Sequence, residues 1–312
     1  MKIRKLVLGI LKNFKFLPVK KLLEYRYEYY CGEKINWENP KKFNEKIHWL
    51  KRFYHVPLLT QLADKYEVRK YVKEKIGDQY LNELYDVADN VEDLNFGKYP
   101  NKFVLKGVHG SSLNILVTDK NNLDIQQIKQ QLKKWLSHNQ YKKVGFEWAY
   151  KNIKPKIVVE KFLKENNRNV LLDYKFFCFN GKPKFVQIDI DRDNNHCRCY
   201  YNLNWEKLPF MFVKRKNYIS KNHLPKSFYE NEVTKPSNFN EMIKLAEKLA
   251  YKLPFARVDF YSIEGKTIFG EITFYPEDGK ANIVPYKYNK IIGDYIKLPK
   301  IPLNKEVITT IG

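Results

Sequence analysis

Arg257-Val-Asp-Phe-Tyr-Ser-Ile-Glu-Gly-Lys-Thr-Ile-Phe-Gly-Glu-Ile-Thr-Phe274 is the stretch that decides how this chain is read. Arg257–Ile263 and Thr267–Phe274 are β-rich runs on either side of Glu264-Gly265, a spacing that predicts an antiparallel hairpin. Alternation puts Arg257 and Asp259 on one face of the first strand. It puts Glu271 and Thr273 on one face of the second. Two carboxylates facing each other across a hairpin repel unless a cation sits between them. Hard oxygen ligands of this kind suit Mg²⁺ bridging nucleotide phosphates. Ordinary surface charges at exposed strand ends are the other reading.

Three more segments share the β character. Lys102–Lys106 and Leu113–Val117 form a hairpin whose tip is Val108-His-Gly-Ser-Ser112. Small residues at such a tip expose backbone N–H groups, and with two hydroxyls and Lys106 they can surround a polyphosphate. The tip is not a Walker A loop, because no Gly-Lys-Ser/Thr opens a helix. Lys156–Leu163 is a further strand. Tyr174–Phe179 and Lys184–Ile190 pair around Asn180-Gly181, the strongest two-residue turn signal. Lys175 lies inside that aromatic run and needs an anionic partner if it points inward. Asp189-Ile-Asp191-Arg192 follows, at a strand end where surface ion pairs are equally possible.

Helical periodicity marks Thr60–Ile76, closed by Gly77, as well as residues 123–138 and Asn240–Leu253. Residues 20–60 are helical and aromatic. Helices interspersed with antiparallel hairpins make the fold class α+β, not a doubly wound parallel sheet.

The chain has 312 residues, 44% hydrophobic and 15% aromatic, which excludes disorder and suffices for a core. Its formal net charge of +22 invites a nucleic-acid reading, but no RNP-type or OB-type pattern accompanies it. The charge is uneven: residues 101–200 hold 19 basic and 9 acidic residues, whereas Glu83–Asp93 is an acidic patch. Cys31, Cys178, Cys197 and Cys199 form no disulfide framework or zinc-knuckle spacing, so a reduced, cytoplasmic protein is expected. No serine–histidine or cysteine–histidine arrangement stands out for nucleophilic catalysis.

No apolar run approaches the ~20 residues of a membrane-spanning helix. The first 23 residues hold seven basic residues and no acidic one. Ile3, Leu6, Val7, Ile10, Leu11 and Phe14 recur there at helical spacing. Such a helix either packs its apolar stripe on its own domain or lies on an anionic membrane face.

Taken in order, these pieces resemble the TupA-like branch of the ATP-grasp superfamily. The residues carrying the resemblance are Ala63-Asp-Lys65, Phe103-Val-Leu-Lys106 with His109-Gly-Ser-Ser112, Ile157-Val-Val-Glu-Lys-Phe-Leu163, Asp173-Tyr-Lys-Phe-Phe-Cys-Phe-Asn-Gly181, Asp191-Arg192, Arg257-Val-Asp-Phe-Tyr261 and Phe269-Gly-Glu-Ile-Thr-Phe274. The resemblance implies two α+β subdomains with antiparallel sheets clasping a nucleotide, behind a helical N-terminal segment. The divisions expected are 1–60, 61–165 for the nucleotide lid, 166–300 for the catalytic part and a tail at 301–312.

The resemblance also implies roles. Lys65 and Lys106 match lysines that contact ATP phosphates. Gly110, Ser111 and Ser112 match the loop over them. Glu160, Lys161, Phe162 and Leu163 match the hinge strand at the adenine. Asp259, Glu271 and Thr273 stand as Mg²⁺ ligands. Arg257, Lys175 and Arg192 stand as catalytic contacts. Many ATP-grasp ligases carry Glu-x-Asn where this chain has Glu271-Ile-Thr273, and Glu277 and Asp278 are candidate substitutes for the missing amide ligand. The implied activity is ATP-dependent joining of a carboxylate to an amine through an acyl-phosphate. The acid is expected to be a uronic acid or acidic residue of a bacterial capsular polysaccharide. A glycosyltransferase of the same pathway and a kinase on the same fold are the alternatives. Partners expected are the two substrates and an anionic membrane, not nucleic acid.

Overall fold

The structure is a computed structural model describing residues 2–14, 16–137, 139–143, 145–164, 171–190, 197–213, 220–225, 228 and 232–311. Helices α1 (Lys2–Leu11), α2 (Val19–Cys31) and α3 (Phe43–Phe53) lead into two short helices, α4 (Leu58–Ala63) and α5 (Val68–Lys75). A single helix over Thr60–Ile76 was expected, and the structure breaks it at Asp64-Lys65. The Asp64 carboxylate accepts the backbone N–H groups of Tyr66 (2.7 Å) and Glu67 (3.0 Å), a local bond that competes with helix continuation.

Strands β1 (Leu84–Ala88), β2 (Phe103–Gly107), β3 (Asn114–Val117) and β4 (Ile157–Lys161) form an antiparallel sheet in the order β1-β4-β2-β3. Helix α6 (Ile125–Leu136) covers it, its Ile128, Leu132 and Trp135 joining Phe103, Leu105 and Val117 in one buried cluster. A short α7 (Gln140–Lys143) follows α6.

Strands β5 (Asp173–Phe179), β6 (Lys182–Ile190) and β7 (Cys197–Asn202) start the larger sheet. After β8 (Met211–Val213) and α7's successor α8 (Phe239–Leu249), β9 (Phe255–Ile263) and β10 (Lys266–Thr273) complete it in the order β10-β9-β5-β6-β7. All its pairings are antiparallel. A short β11 (Asn282–Val284) pairs with β8, and α9 (Lys287–Asp294) packs on α3.

Every residue of β5 is buried, because both faces of the sheet are covered. On one face Phe176 meets Phe239 of α8, with ring centroids 5.6 Å apart. On the other, Phe177 packs against Phe212, and the polar rows described below occupy the rest. The expected α+β architecture with two antiparallel sheets is what the chain adopts.

Helix α1 inverts one expectation. Its apolar stripe does not pack on the domain: Ile3 is 80% exposed, Leu6 70% and Ile10 63%. Leu8 is buried, while the exposed Arg4 reaches Glu28 of α2 and Lys12 lies 4.8 Å above the Tyr29 ring. Among the described residues no helix is long and apolar enough to cross a membrane.

Candidate functional site

The hairpin that opened the reading has the anticipated pairing, with one added device. From Lys266 to Phe269, β10 pairs regularly with β9. At Gly270 the register shifts by one residue, so that Glu271 lies opposite Asp259 and Thr273 opposite Arg257. Without that bulge Glu271 would share the face of Phe269, which is buried in the core. A Cβ on Gly270 would lie 3.1 Å from the carbonyl oxygen of Asp259, so a side chain there crowds the partner strand.

The register then draws a polar row across the whole sheet: Glu271, Asp259, Lys175, Gln187 and Tyr200, one residue per strand. A neighbouring row runs Tyr261, Asp173, Asp189 and Arg198. Lys175 is 4% exposed, and an ammonium so buried costs several kcal/mol unless it is paired. Its Nζ donates to Asp173 and to Asp259 Oδ2 (2.9 Å), with Asp189 Oδ2 at 3.7 Å. Two guanidinium groups complete the balance. Arg257 donates to both oxygens of Asp259, at 2.8 and 2.6 Å, and its Nη2 also reaches Glu271 Oε1 at 3.1 Å. Arg198 pairs with Asp189 at 3.2 Å and Glu277 at 2.7 Å. The cation that two facing carboxylates require is therefore the Arg257 guanidinium in this structure.

These side chains form one wall of a cavity of about 530 Å³. The opposite wall comes from the smaller sheet: Lys106 at the end of β2, and Ser111, Ser112 and Asn114 from the tip and start of β3. Ser111 and Ser112 are exposed, and Ser112 adopts a positive φ of 60°. Lys65, displaced from helical geometry by the Asp64 break, bridges the two walls. Its Nζ donates to the Gly110 carbonyl (2.8 Å) and lies 3.7 Å from Glu271 Oε2.

The cavity's third side carries a second buried ion cluster. Asp278 accepts from Arg26 (2.6 Å), Lys51 and Lys280 (3.1 Å). Burial alone would raise the Asp278 carboxyl, but the three cations outweigh it and hold it well below the usual carboxylate range. Glu147 lines the same side without an ion pair of its own among the described residues. Burial pushes its carboxyl up to about 8, against the pull of Lys51. Beside it Tyr275 is 3% exposed, its hydroxyl buried near the Ala149 backbone.

Of the residues singled out in the sequence, the cavity gathers Lys65, Lys106, Ser111, Ser112, Lys175, Arg257, Asp259, Glu271 and Thr273. Gly110 enters through its carbonyl alone. Glu160, Lys161, Phe162 and Leu163 are not among the lining residues. The Glu160 carboxylate is bound to Lys106 at 2.7 Å, with Arg69 at 3.8 Å, and Lys161 turns outward to Glu83 at 3.2 Å. Asp191 and Arg192 lie outside the described residues. Asp278, considered as a substitute metal ligand, is instead enclosed by its three cations. Sequence reasoning passed over Asp173, Gln187, Arg198 and Glu147 as site residues and left Asp189 open between chemistry and a surface ion pair. Asp173 had a usable signal, two residues before Lys175 on the same strand face.

The same wall offers oxygen donors for a divalent cation. Asp259 and Glu271 are in register and Thr273 follows two residues on, giving two carboxylates and a hydroxyl, all hard oxygens. Glu271 is 36% exposed at the side chain, open to the cavity, and Asp259 is buried beneath Arg257. Among the described residues no three histidine, cysteine or carboxylate side chains converge on a metal position. That set fits Mg²⁺, which retains water and phosphate ligands and takes only one or two carboxylates from protein.

The chain was compared with known proteins. The model of the TupA-like ATP-grasp family matches residues 45–297. No curated protein matches. Among solved structures, D-alanine–D-alanine ligase from Bacillus anthracis, complexed with ATP, is 16% identical. That match covers 70% of this chain and 55% of that one, with a TM-score of 0.38. The corresponding enzyme from Helicobacter pylori is 17% identical over 89% of this chain and 68% of that one (TM-score 0.38). Phosphoribosylamine–glycine ligase from Thermotoga maritima is 14% identical over 71% and 51% (TM-score 0.39). The chain thus spans between half and two thirds of the length of these structures. Likenesses this distant carry no argument, whereas the family match takes in both sheets and every residue lining the first cavity, from Lys65 to Lys280. The chain belongs to the TupA-like ATP-grasp family.

Proposed function

We propose that the chain is an ATP-dependent carboxylate–amine ligase. The observation that carries this reading is the meeting, in one cavity, of lysines from the smaller sheet with the charged rows of the larger one. A nucleotide is proposed to lie between the lobes 61–165 and 166–300, with 1–60 as an N-terminal segment and 301–312 as a tail. In this reading Lys65 and Lys106 bind ATP phosphates under the loop of Gly110, Ser111 and Ser112. The hinge Glu160–Leu163 meets the adenine. Mg²⁺ would be held by Asp259, Glu271 and Thr273, and when bound it neutralises phosphate charge during transfer.

The chain's own groups then have separate tasks. Lys175 and Arg257 present fixed positive charge where a transferred phosphoryl group develops negative charge, and their carboxylate partners keep them in place. Exclusion of bulk water strengthens these interactions and protects an acyl-phosphate from hydrolysis. An amine attacking that acyl-phosphate forms the C–N bond as phosphate leaves. On the family resemblance, the acid is proposed to be a uronic acid or acidic residue of a bacterial cell-surface polysaccharide. The test is ADP release with ATP and Mg²⁺ against a panel of uronic acids and amines. Release that needs both acid and amine supports the ligase. Release with an acid or alcohol that no amine accelerates overturns it in favour of a kinase.

We also infer that the chain works in the cytoplasm, on the inner face of the membrane, with α1 on an anionic bilayer. The outward apolar stripe of α1, and seven basic residues without an acidic one in the first 23, support this. Deleting residues 1–23 is expected to lower co-sedimentation with anionic vesicles, and unchanged binding would refute the inference.

A further inference from the structure

A second cavity, of about 510 Å³, lies under α1, between α2 and the segment from Ala281 to Asn289. Its walls are apolar and aromatic: Leu8, Tyr29, Tyr30, Ile283 and Tyr286. The ionic network of the first cavity does not extend into it. Its cations are at the mouth. Arg4 is held by Glu28, but Lys5 and Lys221 make no ion pair among the described residues, and Lys221 instead lies 4.7 Å above the Tyr286 ring.

Asn44 of the lining is 2% exposed, and its Nδ2 is tied to the Ala281 carbonyl at 2.8 Å. The cavity therefore asks for a molecule with an apolar body and an anionic group at the rim. The helix that contributes Arg4, Lys5 and Leu8 to this cavity is the one that turns Ile3, Leu6 and Ile10 to solvent.

We propose that this cavity is a binding site for an anionic lipid taken from the bilayer on which α1 lies. The chain of the lipid occupies the aromatic walls, and its anionic head lies between Lys5 and Lys221. The proposal rests on the membrane reading of α1 for the source of the lipid, and is independent of the ligase chemistry.

The test uses the full chain and lysophosphatidylglycerol below its critical micelle concentration, followed by calorimetry. Saturable one-to-one binding is expected. The zwitterionic lysophosphatidylcholine of equal chain length should bind roughly tenfold more weakly or worse, as should a Lys5→Glu/Lys221→Glu double variant, whose changes are at the surface. Leu8→Trp, which fills the cavity, should abolish binding, and inorganic phosphate should not compete. Non-saturable binding, equal affinity for the two lysolipids, or binding unaltered in both variants overturns the proposal. Co-sedimentation with phosphatidylglycerol vesicles separates the two readings. A chain that pellets but does not bind lysolipid refutes the cavity alone. A chain that binds lysolipid but does not pellet refutes the surface reading of α1 and leaves the cavity site standing.

Discussion

The two cavities differ little in volume, about 530 against 510 Å³, and almost entirely in chemistry. The first is built on a sheet, whose register places charges in rows, with Lys175, Asp259, Asp189, Arg198 and Arg257 each held by two or more partners. The second is built between helices and a loop, from aromatic walls with cations only at the mouth. Their tolerance to change should differ accordingly. Removing one member of a buried ion network leaves the others uncompensated, which costs far more than the pair was worth. Removing one side chain from a partly open apolar wall costs only its lost contacts.

That contrast is breakable by substitution. The largest effect is expected at Glu271→Gln, which should reduce turnover by roughly 10²–10³-fold or more while leaving the fold and lysolipid binding intact. Retained turnover would remove Glu271 from the proposed Mg²⁺ set. Next comes Asp278→Asn, which leaves Arg26, Lys51 and Lys280 facing one another and should cost about 3–5 kcal/mol in urea unfolding. A change below about 1 kcal/mol would show that the cluster rearranges freely. Lys106→Ala should weaken ATP binding by roughly tenfold or more, read as a lost thermal shift with ATP and Mg²⁺. An unaltered shift would detach the smaller sheet from the nucleotide.

A subtler effect concerns Glu147. Its carboxyl is raised from the ordinary range to about 8, so the folded chain binds a proton that the unfolded chain has already released between about pH 4.5 and 8. Its contribution to stability is full below that window and is lost as pH rises through it. Glu147→Gln should therefore flatten this decline, raising Tm relative to wild type more at pH 9 than at pH 6; parallel profiles would refute the shift. The smallest effect belongs to α1. Leu6→Ser with Ile10→Ser should alter stability by no more than about 0.5 kcal/mol, because both side chains already stand in solvent.

Much of the first cavity was legible because strand periodicity is a strong local signal. Arg257 and Asp259 could be placed on one strand face from alternation, but Glu271 comes opposite Asp259 only through the bulge at Gly270, which regular alternation from the Glu264-Gly265 turn does not give. Lys175 could be marked as needing an anion, and Asp173 stands two residues earlier on the same strand face, but Asp189 and Asp259 come from two other strands whose order no local pattern encodes. Lys65 was found by resemblance, although the run containing it reads as continuous helix. Its position depends on the Asp64 side chain outcompeting the helical hydrogen bonds. The second cavity was not legible at all. Periodicity identifies an apolar stripe on α1 but not the side on which the stripe lies, and here Arg4–Glu28 and the Lys12–tyrosine stacking tie the helix to α2 with Ile3, Leu6 and Ile10 left in solvent.

Gly270 has a consequence for how such a site arises or disappears over generations. Two residues of β10 stand there against one of β9, so the strand carries one residue more than regular pairing needs without sending Glu271 to the apolar side. Losing that one codon would leave Glu271 next to Phe269 and still opposite Asp259, with only the local kink removed. The face of the carboxylate thus survives a one-residue change in length at this point, and glycine, which offers no bulk to the partner strand, is the residue that keeps the extra position open.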